Sequence, residues 1–292
     1  MIARSGEELL RICEDKGISL SEYAIESEME KSGDSREKVI NKMRNTLKVM
    51  IDSATEGMEN EVYSVSGLIG GDGYRVNEYL KKGETLTGTT TVMAMAMALS
   101  SSEVNASMGR IVACPTAGSC GILPAVILSA GAKLDKTEDE LVMGLFASAA
   151  VGTIIAMNAT VSGAEGGCQA ECGSAAAMGC AAVISMMGGT PKMSLDGAAI
   201  VIKNILGLVC DPVAGLVEIP CAKRNAAGAV SALCTADLIM AGVESKIPFD
   251  DTVSAMYKVG RQLPPSLRET AMGGVAVTKT GLKLKKQVFG DK

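Results

Sequence analysis

The sequence contains no histidine and no tryptophan, and its aromatic residues are limited to five tyrosines and three phenylalanines in 292 positions. The usual general base near neutral pH and the usual nitrogen ligand for a metal are therefore both absent. Positive charge is also in the minority, with 28 Lys and Arg against 33 Asp and Glu, for a formal net charge of −5. No basic patch with interleaved aromatics exists. The nearest stretch, Lys283-Leu284-Lys285-Lys286, reads as a solvated tail, so a nucleic-acid partner is not expected. Cys-x-x-Cys pairs of the zinc type, the bacterial ferredoxin spacing and the Gly-x-x-x-x-Gly-Lys phosphate loop are all missing. A reactive centre in this chain is left with sulfur as its most capable element.

Nine cysteines are present, an odd number scattered through apolar segments. That pattern fits reduced thiols with some serving as metal ligands, rather than a disulfide framework. The N-terminus turns acidic at Glu7-Glu8 without an apolar signal region, so secretion is not expected and the expected compartment is the cytoplasm. Apolar residues make up 47% of the chain, and the mean hydropathy is +0.25. Residues 141–164 and 172–191 carry no charge and are long enough to be membrane spans. Their content is Gly, Ala, Ser, Thr and Met, without aromatic belts or basic flanks, which predicts buried helices of a soluble core and no membrane association.

Helix signals dominate. Ser5 with Glu8 and Ser19 with Glu22 have the spacing of capping boxes, and Gly17 is a stop signal. From Ser35 to about Gly57, apolar residues recur at steps of three and four, the mark of an amphipathic helix. Residues 64–90 are Gly-rich and read as turns. A Met/Ala-rich helical run follows from Thr91 to about Leu99, and uncharged helices then alternate with breaks near 114–121, 132–139, 162–173, 188–197, 208–226 and 243–250. No sustained period-2 pattern, repeat or low-complexity linker occurs. The expected fold class is all-α, with Gly/Ala/Met-rich buried helices around the site. The expected organisation is one domain over 1–292, with an amphipathic layer at 1–60 and a helical core at 85–292.

Function is sought in the breaks, because loops on rigid elements carry it. The turn Cys114-Pro115-Thr116-Ala117-Gly118-Ser119-Cys120-Gly121 precedes an apolar helix. Its backbone N–H groups can cradle a carboxylate or phosphate, with Thr116 and Ser119 as further donors; on local sequence alone, a plain hydroxyl cap on a buried helix is the favoured reading of the same residues. Cys168, Cys210 and Cys221 each lie within two positions of Gly or Pro, where backbone can fold tightly around an inorganic core. Cys13, Cys180 and Cys234 sit in apolar helical patterns and read as fillers. Cys114, Cys120 and Cys172 fit either role, and spacing alone does not choose a ligand set.

The segments 112–130, 165–181 and 208–281 closely resemble the α chain of the iron–sulfur-dependent L-serine dehydratases (L-serine ammonia-lyases). The resemblance is strongest in Glu165-Gly166-Gly167-Cys168-Gln169-Ala170-Glu171, in Cys210-Asp211-Pro212 through Ile219-Pro220-Cys221, and in Leu263-Pro264-Pro265-Ser266-Leu267-Arg268-Glu269-Thr270. It implies that Cys168, Cys210 and Cys221, separated by 42 and 11 positions, hold a [4Fe–4S] cluster with one iron not ligated by protein. An open iron acts as a Lewis acid on a substrate hydroxyl. The implied reaction is loss of water from L-serine to give aminoacrylate, which hydrolyses to pyruvate and ammonia without pyridoxal phosphate.

The resemblance further implies that Thr116, Ala117, Gly118 and Ser119 receive the substrate carboxylate. Asn225, with Lys223 and Arg224, would stand near substrate or cluster, the two basic residues reading equally as a solvated helix end. The family occurs as one fused chain or as separate α and β subunits, and its β part carries a Ser-Ser-His-Thr type motif. The expected partner is accordingly a β subunit in an α/β heteromer, supplying the base or another required histidine. Three alternatives stay open at this stage: an iron–sulfur lyase acting on L-cysteine, a non-catalytic subunit with a closed cluster, and a Gly/Ala-rich membrane bundle.

Overall fold

The structure, a computed structural model, describes residues 2–290. In chain order the α-helices are α1 (Gly6–Lys16), α2 (Leu20–Ser32), α3 (Arg36–Glu59), α4 (Asp72–Leu80), α5 (Thr89–Ala106), α6 (Ile122–Lys133) and α7 (Glu138–Asn158). They continue as α8 (Gly163–Gly166), α9 (Ser174–Met186), α10 (Pro191–Ile205), α11 (Cys221–Met240), α12 (Phe249–Gln262) and α13 (Lys279–Phe289). Among the described residues there is no strand, only two isolated bridges. The chain is all-α, as its periodicity predicts.

The first three helices start where their hydroxyl caps predict. Ser5, Ser19 and Ser35 each accept a backbone N–H three residues on, satisfying one of the orphan donors of a helix start. The reciprocal half of the capping boxes does not form. The Glu8 carboxylate accepts from Arg4 N instead, and Glu22 takes a bidentate pair from Arg36.

At the centre lies α9, whose residues are all buried except Ser185. A helix apolar all round must be wrapped on every side, and α6, α7, α10 and α11 enclose it. Small residues permit the approach. A Cβ at Gly197 of α10 would come within 2.4 Å of Ile184 on α9, and one at Gly228 of α11 within 2.7 Å of Ile122 on α6. Of the two charge-free runs, 172–191 becomes this helix with its flanking turns. Within the other, α7 is long and apolar enough to cross a membrane, and 56% of its most apolar window is buried inside the protein.

Two features depart from what the sequence pattern predicts. The Gly-rich stretch 64–90 contains helix α4, whose start has no side-chain cap of its own, since Gly71 precedes it. The acceptors come from Glu103 on α5, which takes the N–H groups of Asp72 (2.6 Å) and Gly73 (3.2 Å). A cap supplied from thirty residues away leaves no local signature. Helix α5 itself runs beyond Leu99 because its serine triplet faces protein: Ser100 Oγ accepts from Gly57 N and donates to Ser53 O on α3. The second is Cys234, which is exposed. It falls opposite the buried stripe Gly228, Ala229, Ala232, Thr235 and Ala236 of α11, a phase that an Ala-rich run does not announce.

Glu103 is fully buried, and burial pushes its carboxyl up to about 7 against the pull of the two N–H donors. The folded protein thus holds this proton more tightly than the unfolded chain. Its contribution is fully present below the ordinary carboxyl range and is lost as pH rises through about 7. In urea unfolding, the stability of the wild type relative to Glu103→Gln should fall between about pH 4.5 and 7.5. A difference that stays flat across that range contradicts the assignment.

Candidate active site

Three helix starts converge on one place. The Thr116–Gly121 turn leads into α6, the Cys168 loop leads into α9, and Cys221 is the first residue of α11. The short helical turn Ala117–Ser119, the π-helical turn Gln169–Gly173 and α11 touch one another. Helix N-termini present free N–H groups and the positive end of the peptide dipole, a pull toward negative charge that burial opposes.

The Cys168 loop is held by Gln169, which is fully buried. Its amide nitrogen donates to Gly166 O and Met256 O, and its oxygen accepts from Gly207 N. Its own N–H donates to Leu208 O. One side chain therefore ties the loop to α12 and to the link after α10. Gly167 is required twice over: its φ is +78°, and a Cβ there would lie 2.9 Å from Leu208 O.

Cys210 is fixed by its backbone, donating to Leu267 O while its carbonyl accepts from Glu269 N. The Leu-Pro-Pro-Ser-Leu-Arg-Glu segment thereby serves as its support. Next to it, Asp211 accepts from Arg224 Nη2 (2.8 Å) and Val275 N (2.7 Å), and Arg224 Nη1 donates to Val209 O.

Cys168, Cys210 and Cys221 are free, buried thiols, close enough that the charge of Cys168 raises the other two. The Cys168 and Cys172 thiols are hydrogen-bonded to each other, Sγ to Sγ, at 3.4 Å. That bond, together with the Arg224 guanidinium, outweighs burial and holds Cys168 below the usual thiol range, while Cys172 is pushed well up. Burial drives Cys210 above the usual range and Cys221 to about 12. For Arg224, burial pulls downward, but Cys168, Asp211 and Cys221 together keep it above its ordinary value. This guanidinium is the cation of the thiol cluster. Lys223 instead pairs with Asp72 at the surface.

Among the described residues no three Cys, Asp or Glu side chains stand close enough to share a single metal ion. A polynuclear iron–sulfur cluster makes a different demand, because each cysteine holds a different iron and the sulfurs stand farther apart. The donor set fits such a group: three soft, buried, unpaired thiols with one arginine beside them. Cys114 and Cys120 turn away into the protein, each donating to backbone carbonyls.

The Thr116–Gly121 turn is clamped by Asn225, whose Oδ1 accepts from Gly121 N (2.9 Å) and whose Nδ2 donates to Gly118 O (2.8 Å) and Cys221 O (3.0 Å). The amide of Asn225 is thus committed to the protein's own backbone. It links the turn to the Cys221 helix start. Ser119 is buried and its hydroxyl is spent on Thr116. The N–H groups of Ala117 and Gly118 have no acceptor among the described residues. Gly121 allows the turn to lie on α5, since a Cβ there would meet Ala98 O at 2.3 Å.

Glu171 was not singled out by sequence reasoning. It is buried, at 8% exposure, and accepts from Thr116 Oγ1 at 2.8 Å and from Cys210 Sγ at 3.9 Å. Burial raises its carboxyl above the ordinary range, opposed by the Thr116 hydroxyl. Its place three residues after Cys168 in a charge-poor loop was the available signal. A cavity of about 500 Å³ between α2, α3 and α7, lined by Tyr23, Met43, Phe146 and Ile154 among others, includes none of these residues.

The sequence profile described as serine dehydratase alpha chain matches residues 15–276. The chain belongs to that family. It is 46% identical over 287 residues to the probable L-serine dehydratase, alpha chain, of Bacillus subtilis, covering 98% of this chain and 95% of the relative. Identity to the L-serine dehydratase, alpha chain, of Peptoniphilus asaccharolyticus is 45%, over 98% of both. With the L-serine dehydratase of Streptomyces coelicolor it is 35%, covering 94% of this chain and 60% of that longer protein. The family is one of lyases.

Replacing Gln169 with Ala strands several buried backbone groups, each costing about 1–3 kcal/mol. Gln169→Ala should therefore lower the unfolding free energy by at least about 2 kcal/mol and make Cys168 react faster with a maleimide in the native state. Unchanged stability and reactivity would show that the side chain does not hold the loop.

Proposed function

We propose that this chain is the α subunit of an iron–sulfur L-serine dehydratase, which deaminates L-serine to pyruvate and ammonia without pyridoxal phosphate. The observation that carries the reading is the set of three buried thiols, Cys168 and Cys221 at converging helix starts and Cys210 on the adjoining loop, with Arg224 beside them, in a chain of this family. Cys168, Cys210 and Cys221 would hold a [4Fe–4S] cluster, leaving one iron without a protein ligand. When bound, the cluster supplies a Lewis acid for the substrate hydroxyl.

The chain's own residues bind and orient. The N–H groups of Ala117 and Gly118, with Thr116 and Ser119 shaping the turn, would receive the substrate carboxylate. Asn225 keeps that turn in register with Cys221, so substrate and metal site share one frame. Arg224 offsets the negative charge of the thiolates. Loss of the Cα proton and the β-hydroxyl as water gives aminoacrylate, which hydrolyses to the products.

The base, or another histidine that the site needs, would come from a β subunit, since this chain has no histidine. The partner reading is supported by the "alpha chain" names of the Bacillus and Peptoniphilus relatives and by the greater length of the Streptomyces protein. The working unit would be a cytoplasmic α/β heteromer, with residues 1–292 as one α-chain domain.

Anaerobic reconstitution with iron and sulfide tests this. The wild-type chain should turn brown and retain iron, and serine in place of Cys168, Cys210 or Cys221 should abolish retention. Replacing Cys114, Cys120 or Cys172 should leave the iron in place. Loaded α chain alone should form almost no pyruvate from L-serine until β is added. A need for Cys172 to keep the iron, or full turnover without β, would overturn the respective part of the reading.

A further inference from the structure

Buried glutamates elsewhere in this protein have structural partners. Glu103 takes two backbone N–H groups at the start of α4, and Glu218 accepts from Ser66 at the foot of a loop. Glu171 differs. Its carboxylate caps no helix and accepts from no backbone N–H; its two donors are the Thr116 hydroxyl and the Cys210 thiol. A carboxylate offers about four lone-pair sites, so roughly half its capacity is left over.

Its surroundings are also short of positive charge. Among the described residues no lysine or arginine pairs with Glu171, and Glu269 repels it. Arg224, the cation of the site, is committed to Asp211 and Val209. A buried carboxylate in that position is costly unless a cation joins it. Among the described residues none does.

Position then narrows the cation. The Glu171 carboxylate stands between the turn with the two free N–H groups and the thiols: a Cβ at Gly118 would be 3.0 Å from Oε1, and one at Gly163 2.5 Å from Oε2 and 3.1 Å from Cys210 Sγ. A small molecule that spans from the turn to the thiols passes its middle atom beside this carboxylate. We propose that Glu171 receives the α-ammonium group of the substrate, making the site selective for α-amino acids over acids that lack the amine. The inference rests on the L-serine dehydratase reading. It adds a specificity residue to this chain and explains the glycines at 118 and 163, where a side chain would occupy the space around the carboxylate.

L-Alanine and propionate test it, because they differ by the ammonium alone and neither can eliminate water. Calorimetric titration of the reconstituted α/β enzyme should show wild type preferring L-alanine. In Glu171→Gln, L-alanine should bind about 10- to 100-fold more weakly, the scale of a lost charged hydrogen bond, while propionate binds as before or tighter. Glu171→Asp should recover part of the loss, and KM for L-serine should rise in parallel. Equal weakening of both ligands would reduce Glu171 to a support for the Thr116 turn and overturn the proposal. So would unchanged L-alanine affinity with a collapsed kcat. Iron content, read separately, distinguishes the two readings. A wild-type chain that holds no iron refutes the cluster, whereas the alanine–propionate contrast still judges Glu171.

Discussion

A helix with no charged side chain cannot be left in water, and the burial of α9 is the constraint around which this protein is arranged. Four helices enclose it, and their approach depends on Gly and Ala where larger residues would collide. Close packing of this kind gains dispersion and apolar burial at the cost of every polar option along the helix. Chemistry is thereby confined to the helix ends. The starts of α9, α6 and α11 come together at one end, and the thiols, the turn and Arg224 are found there.

The same logic explains how few residues position so much. Gln169, Asn225 and Asp211 are buried polar side chains whose capacity is almost entirely spent on backbone or on Arg224. Each joins segments distant in sequence. Buried polar networks of this sort specify one arrangement when fully satisfied and penalise any other. Glu171 departs from the pattern, being buried without a full set of partners, and such departures concentrate where a ligand completes the set.

The helical class, the caps at Ser5, Ser19 and Ser35 and the apolar face of α3 are legible because they depend on neighbours within one or two turns. The sulfur context could be read only as far as motif resemblance carried it. Helix α4 escaped because its capping carboxylate lies on α5, and Cys234 because an alanine-rich run has no visible phase. Asn225 and Glu171 both occur in motifs that stood out, yet the sequence does not say that one amide is spent on a turn a hundred positions earlier while the other carboxylate is left with capacity to spare.

By itself, then, the sequence determined the chemistry at hand: thiols without histidine, small residues without aromatics, and helices whose starts are marked by hydroxyls. These follow from composition and from interactions of short range. Only the tertiary structure decided which thiols meet, which arginine faces them, and which buried carboxylate lacks a cation. Those are properties of distance and desolvation between segments far apart in the chain, and they exist only once α9 has been buried and the three helix starts brought together.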